Sequence, residues 1–118
     1  MSLERVLKAL EEFKISKKEA NIYIYLAKKG PKSSIELSQA LKMDKRRLDS
    51  ILQSIENKGL VSARSSRLSV YSALPFEKLI ECLVHVKMQE AKEINNRKIE
   101  LLAIWKTLRL EIENEDLK

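Results

Sequence analysis

The chain has 118 residues, 44% of them hydrophobic but only 5% aromatic, with two Gly, two Pro and a formal charge of +6. That length suits one compact domain with one added long element, and the scarcity of Gly and Pro excludes a loop-rich or all-β chain. No apolar run is long enough to span a bilayer, and the lone Cys82 excludes an intrachain disulfide, so a soluble protein of the reducing cytoplasm is expected.

Leu3, Val6, Leu7, Leu10 and Phe13 recur at spacings of three and four, which predicts an amphipathic first helix over residues 2–13. Acids interrupt that stripe, so the stretch reads as neither a secretory signal nor a transit peptide. Ser16 opens a second helix, with Glu19 three residues on as its capping-box partner. Ala20, Tyr23, Ile24 and Ala27 make the expected inward face, and Gly30-Pro31 stops the helix. Ser33 opens a third helix over 33–41 with Glu36 as the capping partner, and Ile35, Leu37, Ala40 and Leu41 form its apolar side.

After a break at Lys42-Met43, Asp44 is the expected N-cap of a fourth helix running to Lys58, with Leu48, Ile51, Leu52 and Ile55 as its stripe. Gly59 fits the left-handed position that ends it. Leu60–Arg64 and Leu68–Leu74 then flank a polar tip, Ser65-Ser66-Arg67. Val61/Ala63 and Leu68/Val70 alternate with polar neighbours, so the pair predicts a β-hairpin. Pro75 is expected at the first position of a final helix reaching about Glu113.

The predicted fold is mainly α with a small β-hairpin. Its order, helix-helix-helix-turn-helix-hairpin, is the winged helix-turn-helix arrangement, expected over residues 1–74, with residues 75–118 as a long dimerisation helix. Charge follows this plan: residues 42–67 carry +4, residues 1–41 carry +3 and residues 68–118 carry −1. Such a basic segment attracts phosphate, although an ordinary solvated surface would also be basic in places.

On the fourth helix, burying the Leu48–Ile55 stripe turns Lys45, Arg46, Asp49, Ser50 and Gln53 outward, with Arg47 near the edge. Arg46 or Lys45 could donate to guanine, Gln53 could pair with adenine, and Asp49 could accept from cytosine or simply pair with Arg46 or Lys45. The predicted DNA-facing set is completed by Ser33 and Ser34, by Lys42 in the turn, and by Arg64, Ser66 and Arg67 of the wing.

Residues 13–77 resemble the DNA-binding domain of the TrmB-like transcriptional regulators. The resemblance is carried by Ser16-Lys17-Lys18-Glu19-Ala20 with Ile22-Tyr23 and Leu26, Lys29-Gly30-Pro31, Glu36-Leu37-Ser38, Lys45-Arg46-Arg47-Leu48, Ile55-Glu56-Asn57-Lys58-Gly59-Leu60-Val61 and Tyr71-Ser72-Ala73-Leu74-Pro75. It implies a transcriptional regulator that binds operator DNA as a dimer. Lys42 stands where the family usually has Gly, Asp49 where an aromatic is common, and Ser65-Ser66-Arg67 in place of a Gly-Arg-Pro-like wing tip. Larger members carry a C-terminal sugar-binding domain for which this chain has no room, so sugar sensing is not expected.

In the last helix Leu79, Leu83 and Val86, then Ala91, Ile94, Lys98, Leu101, Trp105, Leu108 and Ile112, recur in a near-heptad seam. A helix of about 37 residues extends roughly 55 Å, too long to pack on its own domain, so pairing with a second copy is expected. The predicted interface is Leu83, Val86, Ala91, Ile94, Leu101, Trp105, Leu108 and Ile112, with Asn95, Asn96 and Lys98 interrupting the stripe and fixing its register. Folding back over the same domain is the alternative, and parallel and antiparallel pairing both remain open.

Cys82 and His85 are too few to hold a metal. No phosphate-cradling Gly loop and no nucleophile-base set is present, so neither an enzyme nor a cofactor is expected. The expected function is sequence-specific binding of double-stranded DNA by a homodimer, most simply a repressor. A protein-interaction scaffold and an architectural, chromatin-type DNA binder are the alternatives.

Overall fold

In a computed structural model, described for residues 2–64 and 69–116, the elements are α1 (Ser2–Glu12), α2 (Lys17–Lys29), β1 (Lys32–Ser33), α3 (Ser34–Leu41), α4 (Lys45–Asn57), β2 (Val61–Arg64), β3 (Val70–Ala73) and α5 (Phe76–Asp116). They divide into two compact units, Met1–Ile80 and Glu81–Lys118.

Helix starts follow the two predicted capping boxes. Ser16 Oγ accepts from the Glu19 amide at 3.2 Å while Glu19 Oε1 accepts from the Ser16 amide at 2.8 Å. Ser33 and Glu36 repeat the arrangement at 3.2 and 3.1 Å. The Ser33 amide and hydroxyl hold the Glu36 carboxyl below its ordinary pKa. Asp44 departs from expectation. Its carbonyl accepts from Leu48 at 2.9 Å, but its carboxylate makes no capping bond.

Three helices end through a left-handed residue followed by a long backbone bond. Lys14 (φ 64°), Lys42 (φ 52°) and Gly59 (φ 84°) occupy the left-handed positions. The matching bonds are Ile15 N to Leu10 O at 3.1 Å, Met43 N to Ser38 O at 3.1 Å and Leu60 N to Ile55 O at 2.9 Å. In the first and third, both bonded residues are fully buried, so each helix end is sealed by an apolar contact.

The core of the first unit gathers Leu10 and Ile15, Ile22, Tyr23 and Leu26 of α2, Leu37 of α3, Leu48, Leu52 and Ile55 of α4, and Leu60, Val61 and Leu79. Ala27 and Ala40 are exposed and Ile35 is 43% exposed, against expectation. On α2 the buried face is Glu19, Ala20, Ile22, Tyr23 and Leu26, because the helix packs against α1, α4 and β3 at once and so buries more than one stripe. Helix α3 spans eight residues and buries only Leu37.

The sheet has three antiparallel strands in the order β1-β3-β2, rather than a two-stranded hairpin. Lys32 pairs with Tyr71 and Ser33 with Val70, while Val61 pairs with Ala73 and Arg64 with Val70. Two residues are too few to display alternation, which is why β1 escapes the sequence pattern. Leu74 N donates to Leu60 O at 2.9 Å and closes the base of the wing, and the Tyr23 hydroxyl donates to the Leu74 carbonyl. Pro75 stands one place outside α5, its carbonyl accepting from Leu79 at 3.0 Å, instead of at the first helical position.

Candidate nucleic-acid interface

The turn between α3 and α4 is locked by its own backbone and one side chain. Ser38 Oγ donates to the Met43 carbonyl at 2.7 Å, and the Met43 amide donates to the Ser38 carbonyl. Lys42 sits between them in the left-handed conformation with its side chain exposed. The turn therefore presents an ammonium where a glycine would present nothing.

Leu48, Leu52 and Ile55 are fully buried, and this fixes the rotation of α4. Lys45, Arg46, Arg47, Asp49, Ser50 and Gln53 are all exposed as a result. Gln53 Nε2 reaches Asn57 Oδ1 at 3.4 Å. Among the described residues, none of Lys45, Arg46 and Arg47 makes an ion pair, so the pairing of Asp49 with Lys45 or Arg46 is not formed. The first turn of α4 contains three cations and no acid. A helix N-terminus carries the positive end of the macrodipole, which disfavours cations there by about 0.3–1 kcal/mol each. A local rule broken three times in one turn is the expected mark of a site built to meet an anion.

The remaining predicted residues divide. Ser34 is half-buried and Arg64, at the end of β2, is exposed. Ser33 is 6% exposed and its hydroxyl is committed to the capping box, so it stands apart from the exposed set. Ser66 and Arg67 lie outside the described residues. Asp49 and Glu56 lie near Tyr71 of β3, whose pKa is raised by burial first and by these two negative charges second.

One basic residue of the 42–67 segment has another task. Lys58 Nζ donates to Glu19 Oε1 at 2.8 Å, to Glu19 Oε2 at 3.0 Å and to the Lys14 carbonyl at 2.7 Å. Ser54 Oγ donates to the same carboxylate at 2.6 Å. Burial alone would raise the Glu19 pKa, but the bonds from Lys58, Ser54 and Ser16 outweigh it and lower the value to about 2. The sequence signals Glu19 only as a capping residue; nothing in local spacing reveals partners 35 and 39 residues away.

In the second unit, Val86, Ala91, Ile94, Leu101, Trp105, Leu108 and Ile112 are exposed and Leu83 is half-buried. Trp105 is 58% exposed, an unusual state for the largest apolar side chain in the protein. Among the described residues no helix is long and apolar enough to cross a membrane.

A family model described as sugar-specific transcriptional regulator TrmB matches residues 10–77. Curated proteins give no match. Among solved structures, a transcriptional regulator of Thermotoga maritima is 21% identical with a TM-score of 0.55, covering 92% of this chain and 83% of its own. MepR, a transcription regulator of the Staphylococcus aureus multidrug efflux pump MepA, is 16% identical with a TM-score of 0.53 over 98% and 89%. A MarR protein of Peptoclostridium difficile is 18% identical with a TM-score of 0.53 over 99% and 88%. At these identities the structural likeness establishes the winged-helix fold.

Proposed function

The chain belongs to the TrmB family of transcriptional regulators, and we propose that it binds a specific double-stranded operator as a homodimer and acts as a repressor. The observation that carries this reading is the exposed trio Lys45, Arg46 and Arg47, without an ion-pair partner among the described residues, on the first turn of a helix whose opposite face fully buries Leu48, Leu52 and Ile55. The N-terminal half of α4 enters the major groove, and α3 braces it across the backbone. Arg46 or Lys45 donates to guanine O6 and N7, Gln53 pairs with adenine, and Asp49 accepts from a cytosine amino group. Lys42, Arg47, Ser34, Ser50 and Arg64 hold phosphates, with Ser66 and Arg67 of the wing on the flanking backbone. The exposed seam of α5 joins two copies, and two recognition helices on a two-fold site multiply the affinity of one. Bound across a promoter, such a dimer represses by occlusion. The sugar specificity in the family description is not carried over, since the match ends at residue 77.

Titrating a randomised duplex pool with wild type and with Lys45→Ala, Arg46→Ala and Arg47→Ala tests the reading. Each change is expected to weaken binding to the selected sequence about tenfold, with the circular dichroism of the helices unchanged. Unaltered affinity in the triple variant refutes the recognition-helix assignment. A monomeric mass at micromolar concentration refutes the dimer.

A further inference from the structure

We propose that the two α5 helices pair antiparallel, in the register that sets Arg97 of each chain against Glu111 of the other. The inference rests on the homodimer reading and names the geometry of its interface.

The seam residues Ile94, Lys98, Leu101, Trp105, Leu108 and Ile112 alternate by four and three, so the positions flanking them are fixed. One flank reads Arg97, Ile104, Glu111, and the other reads Asn95, Leu102, Arg109. In a parallel pair, each residue of the first flank meets the second flank of the partner five residues further on. That sets Arg97 against Leu102 and Ile104 against Arg109: twice an apolar side chain faces a guanidinium, and no opposite charges meet.

In an antiparallel pair each flank meets its own kind. With Leu101 layered on Trp105 of the second copy, Ile94 falls on Ile112 and Lys98 on Leu108, each layer occurring twice by symmetry. Ile104 then meets Ile104 on one side of the two-fold axis, and Leu102 meets Leu102 on the other. Arg97 meets Glu111 at both ends, and Asn95 meets Arg109. A shift of one heptad in either direction sets Ile104 against Arg97 or against Glu111. Of these registers, only this one joins apolar to apolar and cation to anion along the Arg97, Ile104, Glu111 flank.

The side chains are disposed accordingly. Ile94, Leu101, Leu102, Ile104, Trp105, Leu108 and Ile112 are all exposed within one chain. Among the described residues neither Arg97 nor Glu111 has an ion-pair partner in its own chain, whereas nearby Arg109 reaches Glu113 at 3.5 Å. Lys98, the one charged seam residue, lies within about a turn of Glu111 of the second copy, toward which its ammonium can extend.

Cysteine cross-linking in the full chain, with Cys82→Ser as background, tests the pairing. Residues 94 and 112 are about 27 Å apart along one helix, so neither an intrachain link nor an Ile94-to-Ile94 link can form in the antiparallel pair. Ile94→Cys and Ile112→Cys are each expected to stay unlinked under mild oxidation, while the double variant links into a covalent dimer. Linking by Ile94→Cys alone overturns the proposal in favour of parallel pairing. No link in the double variant, with a dimeric mass retained, overturns the register; a monomeric mass overturns the dimer reading itself. Arg97→Glu and Glu111→Arg are each expected to raise the dimer Kd about tenfold, and their combination to restore it. A double variant weaker than either single one overturns the pair.

Discussion

Lys58 and Glu19 form an ion pair of 2.8 Å that joins the end of α4 to the start of α2. The carboxylate also accepts from the Ser16 amide and the Ser54 hydroxyl, and the ammonium also donates to the Lys14 carbonyl. Two stretches of chain, residues 14–19 and 54–58, thus meet at one nearly buried carboxylate and the ammonium it holds. The junction sits at the far end of α4 from its basic first turn and fastens that end to the start of α2.

The Glu19 junction makes stability depend on pH in a definite direction. A carboxyl held at about 2 when folded and near its ordinary 4.5 when unfolded contributes stability above pH 4.5, and that contribution disappears as pH falls toward 2. A shift of this size corresponds to about 3 kcal/mol. Glu19→Gln is expected to unfold at lower urea than wild type at pH 7, with the gap narrowing steadily between pH 4.5 and 2. A gap independent of pH, followed by urea titration at both ends of that window, would contradict the assigned role.

Lys42 separates backbone strain from charge. A non-glycine residue in the left-handed region costs roughly 1 kcal/mol, so Lys42→Gly is expected to hold or raise the Tm while weakening operator binding several-fold. Lys14→Gly relieves the same conformation at the end of α1 and is expected to leave DNA affinity unchanged. Thermal melts beside duplex titrations of the two variants check both halves; parallel behaviour of the pair in DNA binding would remove Lys42 from the interface.

The parts of this structure written in local spacing are legible in the sequence. Ser16/Glu19, Ser33/Glu36 and the Gly59 stop each need only four or five consecutive residues, and the stripe Leu48–Ile55 needs only one helical period. What escapes is set by tertiary contact. Strand β1 exists because Lys32 and Ser33 lie beside Tyr71 and Val70, and the buried face of α2 is wide because it has three neighbours. Within the candidate site, Lys58 reads in sequence as one more free charge because its partner stands 39 residues earlier. Ser33 reads as available as Ser34, and the two are separated by the burial of Ser33 and by the bond from the Glu36 amide to its hydroxyl.

Tyr23 ties α2 to the base of the wing through its bond to the Leu74 carbonyl. Tyr23→Phe leaves that carbonyl short of a donor and is expected to cost about 1–2 kcal/mol in chemical denaturation. Burial raises the Tyr23 pKa, so the folded state favours the neutral phenol. Its contribution is complete below pH 10 and is lost as pH climbs above that value, where the unfolded chain ionises first. The wild type is therefore expected to lose stability above pH 10 more steeply than Tyr23→Phe, which a pH series of melts would reveal or refute.

Salt dependence distinguishes residues that hold phosphates from residues that read bases. Removing one cation from a phosphate lowers the slope of log K against log salt by about 0.9, so a symmetric dimer changes by about 2. Lys42→Ala and Arg47→Ala are expected to flatten the slope by that amount and to weaken all sequences alike. Arg46→Ala is expected to reduce discrimination at one position of each half-site by about 1–3 kcal/mol. Lys58→Met supplies the internal control: its ammonium is already neutralised by Glu19, so the variant should melt lower yet keep the wild-type slope. If Lys58→Met flattens the slope as Lys42→Ala does, the ammonium faces DNA, and the division between a structural charge and a binding charge on α4 fails.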